Sequence, residues 1–117
     1  MNEYQLRAKI FQVLAHPVRL RILDLLSQEE ACVCHLTTAL GKRQPYVSQQ
    51  LAALRRAGLV TDHKDGLMVY YRLSDQRVME LLALGRTLLQ EQGADVTFTP
   101  LPDGPLPGCP CPHCREK

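Results

Sequence analysis

Residues 4–15 carry Leu6, Ile10, Val13 and Leu14 at the three-and-four spacing of a helix with one apolar stripe. Pro17 ends that helix and suits the first position of the next, where a missing N–H is no loss. Val18, Leu20, Ile22, Leu23, Leu25 and Leu26 make this second helix very apolar, which puts it at the centre of a core. Residues 32–40 predict a short third helix with Leu36, Ala39 and Leu40 inward, stopped by Gly41. After the link Lys42-Arg43-Gln44, Pro45 opens a fourth helix, whose stripe is Val47, Leu51 and Leu54 and whose stop is Gly58. The period then changes. Leu59–His63 and Met68–Leu73 read as strands, with Lys64, Asp65, Gly66 and Leu67 between them, and an Asp-Gly pair in that place signals a hairpin. Asp75 is a natural N-cap for a last helix with Val78, Leu81, Leu82, Gly85, Leu88 and Leu89 on its apolar face. Helices joined by a tight glycine-containing link and followed by a hairpin predict a mainly α, winged helix-turn-helix fold: five helices plus a β-hairpin wing.

Composition changes near residue 94. Six of the eight prolines and three of the five cysteines lie beyond it. Prolines remove N–H donors and clash with a preceding helical turn, so this part reads as an extended, partly polyproline-like tail. The expected organisation is therefore one domain over 1–94 and a Pro/Cys-rich tail over 95–117. Trp is absent and aromatics are 5% of the chain, so Leu, Ala and Val must build the core.

A net charge of +2 does not single out a nucleic-acid binder; the position of the charges does. Arg19, Arg21, Lys42, Arg43, Arg55, Arg56, Lys64 and Arg72 all precede residue 73. The fourth helix presents Gln44, Tyr46, Ser48, Gln49 and Gln50 in its N-terminal half, with no acidic group among them. A Gln can pair at two points with adenine, and Ser and Tyr can bond bases or phosphates. Lys64 near the hairpin tip and Arg72 beside it suit a wing resting on phosphates. These residues predict double-stranded DNA as partner. No apolar run nears the roughly 20 residues of a membrane span, and the N-terminus lacks a signal-peptide pattern, so a cytoplasmic protein with reduced thiols and no membrane partner is expected. No phosphate-binding glycine loop, carboxylate pair or Ser/His/Asp pattern points to an enzyme.

The run Leu14-Ala15-His16-Pro17-Val18-Arg19-Leu20-Arg21-Ile22-Leu23 resembles the opening helices of the ArsR/SmtB repressors. Gln44-Pro45-Tyr46-Val47-Ser48-Gln49-Gln50-Leu51 and Leu54-Arg55-Arg56-Ala57-Gly58-Leu59-Val60 resemble their recognition helix and its exit, and Gly66 with Val69-Tyr70-Tyr71-Arg72-Leu73 resembles their wing. The resemblance spans roughly residues 4–91. It implies a homodimer built on the first and last helices, and release from operator DNA when an inducer binds. Where the family often has a capping Ser before Gln-Pro, this chain has Arg43. A missing cap costs about 1 kcal/mol, and Arg43 is instead a candidate phosphate contact.

Cys32-Val33-Cys34-His35-Leu36 resembles the Cys-Val-Cys-Asp-Leu signature of the family's arsenite and cadmium/lead sensors, with His35 where Asp is usual. The tail adds Cys109, Cys111 and Cys114. Thiolates select soft ions: three suit arsenite, and four suit a tetrahedral cadmium or zinc. The expected inducer is arsenite or a soft divalent ion (Cd, Pb or Zn). Geometry restricts the claim. Residues i and i+2 point about 200° apart on a helix and to opposite faces on a strand. Cys32 and Cys34 can grip one ion if Cys32 sits at or before the N-cap and that turn is distorted. A zinc knot confined to the tail lacks an evident fourth ligand, because His113 directly precedes Cys114. The resemblance also implies a second sensing site on the last helix, but only Asp75 of such a site is present. Two other functions fit the same residues: a thiol-redox-responsive repressor of this fold, and a protein-interaction module without DNA.

Overall fold

The computed structural model describes residues 1–93, 95–102 and 104–115, with the side chains of His113 and Arg115 outside that description. The expected domain boundary, residue 94, thus falls outside the described residues. In chain order the elements are α1 (Glu3–Leu14), α2 (Pro17–Gln28), β1 (Ala31–Cys32), α3 (Val33–Leu40), α4 (Gln44–Arg56), β2 (Val60–Asp65), β3 (Met68–Leu73), α5 (Gln76–Glu91) and the single turn α6 (Pro112–Arg115).

Local chemistry sets most of the ends. Asn2 caps α1 by accepting from the Gln5 amide at 2.8 Å, while the Gln5 side chain accepts from the Asn2 amide at 2.9 Å. Pro17 occupies the first turn of α2. Gly41 takes the left-handed conformation (φ 65°) that closes α3. Asp75 caps α5 through the Arg77 amide at 2.8 Å, and its side-chain hydrogen bonds with Arg77 hold its carboxyl down at about 2. Arg43 stands at the N-cap of α4 with no side-chain cap bond, as its side chain has no acceptor to offer the helix amides.

The core lies where α2, α3 and α4 meet the sheet. Ile22, Leu23, Leu36, Val47, Leu51 and Leu54 are completely buried there. The sheet order is β1-β3-β2, all antiparallel. The wing hairpin is longer than expected. Lys64 and Asp65 lie inside β2, with Asp65 paired to Met68, and the loop is Gly66-Leu67 alone. Gly66 has φ 62° and Leu67 has no positive φ, as a two-residue turn with glycine in first place requires. Lys64 therefore sits two residues before the tip.

Two features depart from the sequence reading. The two-residue strand β1 pairs Ala31 with Tyr71 and Cys32 with Tyr70, and was too short to leave a periodic signal. Among its described residues the tail folds back on the domain and does not extend away from it. Phe98 lies under the Arg86 guanidinium of α5 at 4.6 Å, Leu101 packs on the main core, and Cys109, Cys111 and Cys114 are buried. Its prolines forbid a long helix but permit folding back, because the intervening glycines turn the chain.

The outer helices hide little of their apolar stripe. On α1, Leu6, Ile10 and Phe11 are exposed, and on α5 so are Leu81, Leu84, Leu88 and Leu89.

Candidate functional site

The polar face of α4 and the wing form one candidate surface. Arg43, Gln44 and Gln49 are exposed, and Tyr46 and Ser48 are half-buried. Lys64 and Arg72 are exposed on β2 and β3, with the Arg72 Nε donating to Thr61 Oγ1 at 3.4 Å. Gln50 departs from this set. It is 8% exposed, and its Oε1 accepts from Arg19 Nε at 2.7 Å. The same Arg19 donates to the Val13 carbonyl at 3.2 Å, so Gln50 ties α4 to α2 and α1 and is turned from the outer face. The sequence grouped it with Gln49 because adjacent helical residues lie only about 100° apart. Of the other basic side chains, Arg55 and Arg56 are exposed, with Arg55 paired to Asp62 at 3.0 Å.

The cysteines form a second site at the opening of α3. Cys32 is the N-cap of α3, extended at φ −82°, ψ 164°, and its Sγ accepts from the His35 amide at 3.4 Å. That bond folds the side chain back over the first turn. Its Sγ thereby comes to 2.7 Å from Cys34 Sγ, which regular helix geometry forbids. The tail closes over the pair. The donor atoms of Cys32, Cys34 and Cys111 all lie within 4.8 Å of one another, and so do those of His35, Cys109, Cys111 and Cys114. Cys111 belongs to both sets.

Burial pushes the Cys32 thiol up, partly offset by its contacts with Cys34 and the His35 amide. Burial and the neighbouring Cys32 push Cys34 up, and burial carries Cys109 to about 12. Burial acts on Cys111 in the same sense but is outweighed by hydrogen bonds from the Cys114 amide and the surrounding thiols, so its thiol is lowered. The sulfur shared by both sets is thus eased toward thiolate, the form that binds metals.

All five sequence-predicted cysteines converge at one place. The residue missed there is His35, 7% exposed, whose Nδ1 is 3.3 Å from Cys114 Sγ. Its signal was its place in the first turn of α3, directly after Cys34. The His113 side chain lies outside the described residues. His63, on the wing, instead pairs with Glu30 at 2.8 Å and stacks on Tyr70.

The profile of the bacterial regulatory protein, arsR family, matches residues 16–62, from the start of α2 into β2. The transcriptional regulator Rv0081 of Mycobacterium tuberculosis is 41% identical over 87 residues, covering 74% of this chain and 76% of its own length. Its crystal structure superimposes with a TM-score of 0.75 at 38% identity, covering 81% of this chain and 96% of that one. The chain belongs to the arsR family. It is a winged helix, DNA-binding transcriptional regulator and not an enzyme. A transcriptional repressor SmtB homolog of Synechocystis is 40% identical, covering 78% of this chain and 69% of its own. The arsenical resistance operon repressor of Escherichia coli is 49% identical over 72 residues, covering 61% of this chain and 62% of its own. A homodimeric winged helix-turn-helix domain of Mycobacterium bovis, solved in solution, has a TM-score of 0.72 at 33% identity, covering 82% of this chain and 89% of that one. Among the described residues, no helix of this arsR-family chain is long and apolar enough to cross a membrane.

Proposed function

We propose that this protein is a homodimeric transcriptional repressor of the cytoplasm, released from operator DNA when Cys32, Cys34 and Cys111 bind arsenite or a soft divalent ion. The observation that carries the reading is the convergence of these three sulfurs within 4.8 Å at the first turn of α3. Three thiolates meet the trigonal demand of arsenite. Each S–As bond formed replaces an As–O bond, and each thiol proton leaves with an arsenite oxygen as water. A relative named for arsenical resistance and another named SmtB homolog support the same class of signal.

On the DNA side, Arg43, Gln44, Tyr46, Ser48, Gln49, Lys64 and Arg72 are the proposed contacts, with Gln49 reading a base edge and the cations holding phosphates. The exposed stripes of α1 and α5 are the proposed dimer faces, supported by the homodimeric M. bovis relative. Residues 95–117 are a functional arm, whose role is to bring Cys111 to α3.

The coupling is mechanical. α3 packs directly on α4, so an ion that draws in the opening turn of α3 moves the base of α4. In a dimer the two α4 helices must meet major grooves about 34 Å apart, so a small rotation weakens binding greatly. Nearly complete switching requires the ion to prefer the released state by about 5.5 kcal/mol.

The test is anisotropy of a labelled duplex selected from a random-sequence pool. Wild type and Cys32→Ser/Cys34→Ser are expected to bind alike, with arsenite or cadmium releasing wild type alone. Release of the double variant by the same ions would sink the proposal. So would release of wild type by mild peroxide but not by ions, with a disulfide on mass analysis, which is the redox alternative.

A further inference from the structure

We propose that His35, Cys109, Cys111 and Cys114 form a second, four-coordinate site for Zn(II), and that this ion is structural, pinning the tail to α3. The proposal rests on the preceding reading only in that Cys111 is common to both sets, its thiolate bridging them.

All four side chains are buried, at 7%, 5%, 1% and 9% exposure. Three buried thiols and a buried imidazole facing one another are not an ordinary packing solution. Cys109 Sγ stands 3.3 Å from Cys111 Sγ, His35 Nδ1 stands 3.3 Å from Cys114 Sγ, and the whole set fits within 4.8 Å. A tetrahedral zinc with bonds of about 2.3 Å to sulfur spaces its sulfurs about 3.8 Å apart. Small movements of the sulfurs therefore complete the shell. Three sulfurs and one imidazole nitrogen are a zinc donor set, whereas arsenite is satisfied by three thiolates and has no use for the nitrogen.

The backbone supports the same assignment. Leu106 N–H donates to Cys114 Sγ at 3.2 Å. Amide donors aimed at sulfur hold thiolates in place around a metal. The turn at Pro112–Arg115, closed by the Cys114 amide on the Cys111 carbonyl at 3.1 Å, sets the spacing of these two ligands.

Energetics favour an ion as well. After Leu101 the tail offers a single large apolar side chain, Leu106. Burial of that one residue does not offset the entropy of ordering the segment, whereas a bound structural metal does. Zinc thus supplies the order that keeps Cys111 beside Cys32 and Cys34.

The test uses the full-length reduced protein, loaded with Zn(II) and passed over a desalting column. Zinc per chain is counted by mass spectrometry, and the shell is read by zinc-edge X-ray absorption. One tightly held zinc with three sulfurs and one nitrogen is expected. His35→Asn and Cys109→Ser should each weaken zinc by more than the roughly 10–100-fold that loss of a ligand's hydrogen-bonding partner brings. Cys109→Ser lies in the tail and is expected to keep native circular dichroism and DNA binding, so its loss of zinc is not a loss of fold. Cys32→Ser/Cys34→Ser should keep the zinc and its shell. An all-sulfur shell, a zinc-free wild type, or zinc lost from Cys32→Ser/Cys34→Ser but kept by His35→Asn would overturn the proposal. The two readings fail separately: a zinc-free protein still released by arsenite removes only the second site, and a zinc-loaded protein unmoved by arsenite removes only the first.

Discussion

Helix α4 and the thiol cluster are the two halves of the proposed regulator and are built by opposite means. In α4 one regular element supplies everything. Val47, Leu51 and Leu54 bury one side, and the period of the helix then presents Gln44 and Gln49 outward. The cluster has no period. It depends on Cys32 being a cap and not a helical residue, on a bond from the His35 amide, and on a tail that returns from the far end of the chain. Reading DNA needs a rigid face repeated identically in every molecule. Sensing an ion needs a site that forms from separable pieces, because only pieces that move can change the rest of the fold.

The largest expected effect separates the two halves outright. Replacing Cys109, Cys111 and Cys114 together by Ser should abolish ion-driven release. Affinity for the selected duplex should stay within about twofold, the roughly 0.5 kcal/mol of a change remote from the DNA. A large fall in DNA affinity, seen by anisotropy without any ion, would mean that the tail belongs to the DNA-binding half as well.

The next effect sharpens the boundary within α4. Gln49→Ala should lose about 1–3 kcal/mol of discrimination at one base position, measured against a panel of single-base variants of the duplex. Gln50→Ala should leave that discrimination unchanged. It should instead lower stability in urea by about 1–3 kcal/mol, because Arg19 Nε is left without its acceptor. The reverse pattern would place Gln50 in the groove.

The smallest effect has opposite signs in its two readouts. Arg43→Ser adds the missing cap to α4 and should raise stability by roughly 0.5–2 kcal/mol. It should also weaken DNA binding and reduce the salt slope by about 1, as expected when one phosphate contact is removed. An unchanged slope would leave Arg43 as an uncapped helix start and nothing more.

Most of the candidate DNA surface was legible in the sequence. Pro17, Gly41, Pro45, Gly66 and Asp75 mark element ends through sterics and capping, which act within a few residues, and the apolar stripes assign the inward faces. Gln50 was not legible. Its direction is decided by Arg19, 31 positions away, and no local pattern records that partner. The wing tip came out two residues late because β2 continues through polar Lys64 and Asp65, which carry no alternation signal.

The cluster was half legible. By residue type the Cys-x-Cys pair and the three tail cysteines suggested metal or reactive-thiol chemistry, and the resemblance of Cys32-Val33-Cys34 to a sensor signature turned that expectation toward a soft ion. The sequence also set the condition that Cys32 stand at the cap, because a thiol's direction on a helix follows from 3.6 residues per turn. Whether that condition is met depends on β1, which pairs Cys32 with Tyr70 and holds it extended until α3 begins. His35 meeting Cys114 across 79 residues is likewise a product of the returning tail. By itself, then, the sequence determined the helices, the wing, their buried faces and the supply of thiols, since these follow from residue type and from neighbours in the chain. The tertiary structure decided which glutamine faces out, where the tail goes and which donors share a site, since each is an encounter between segments that no local pattern joins.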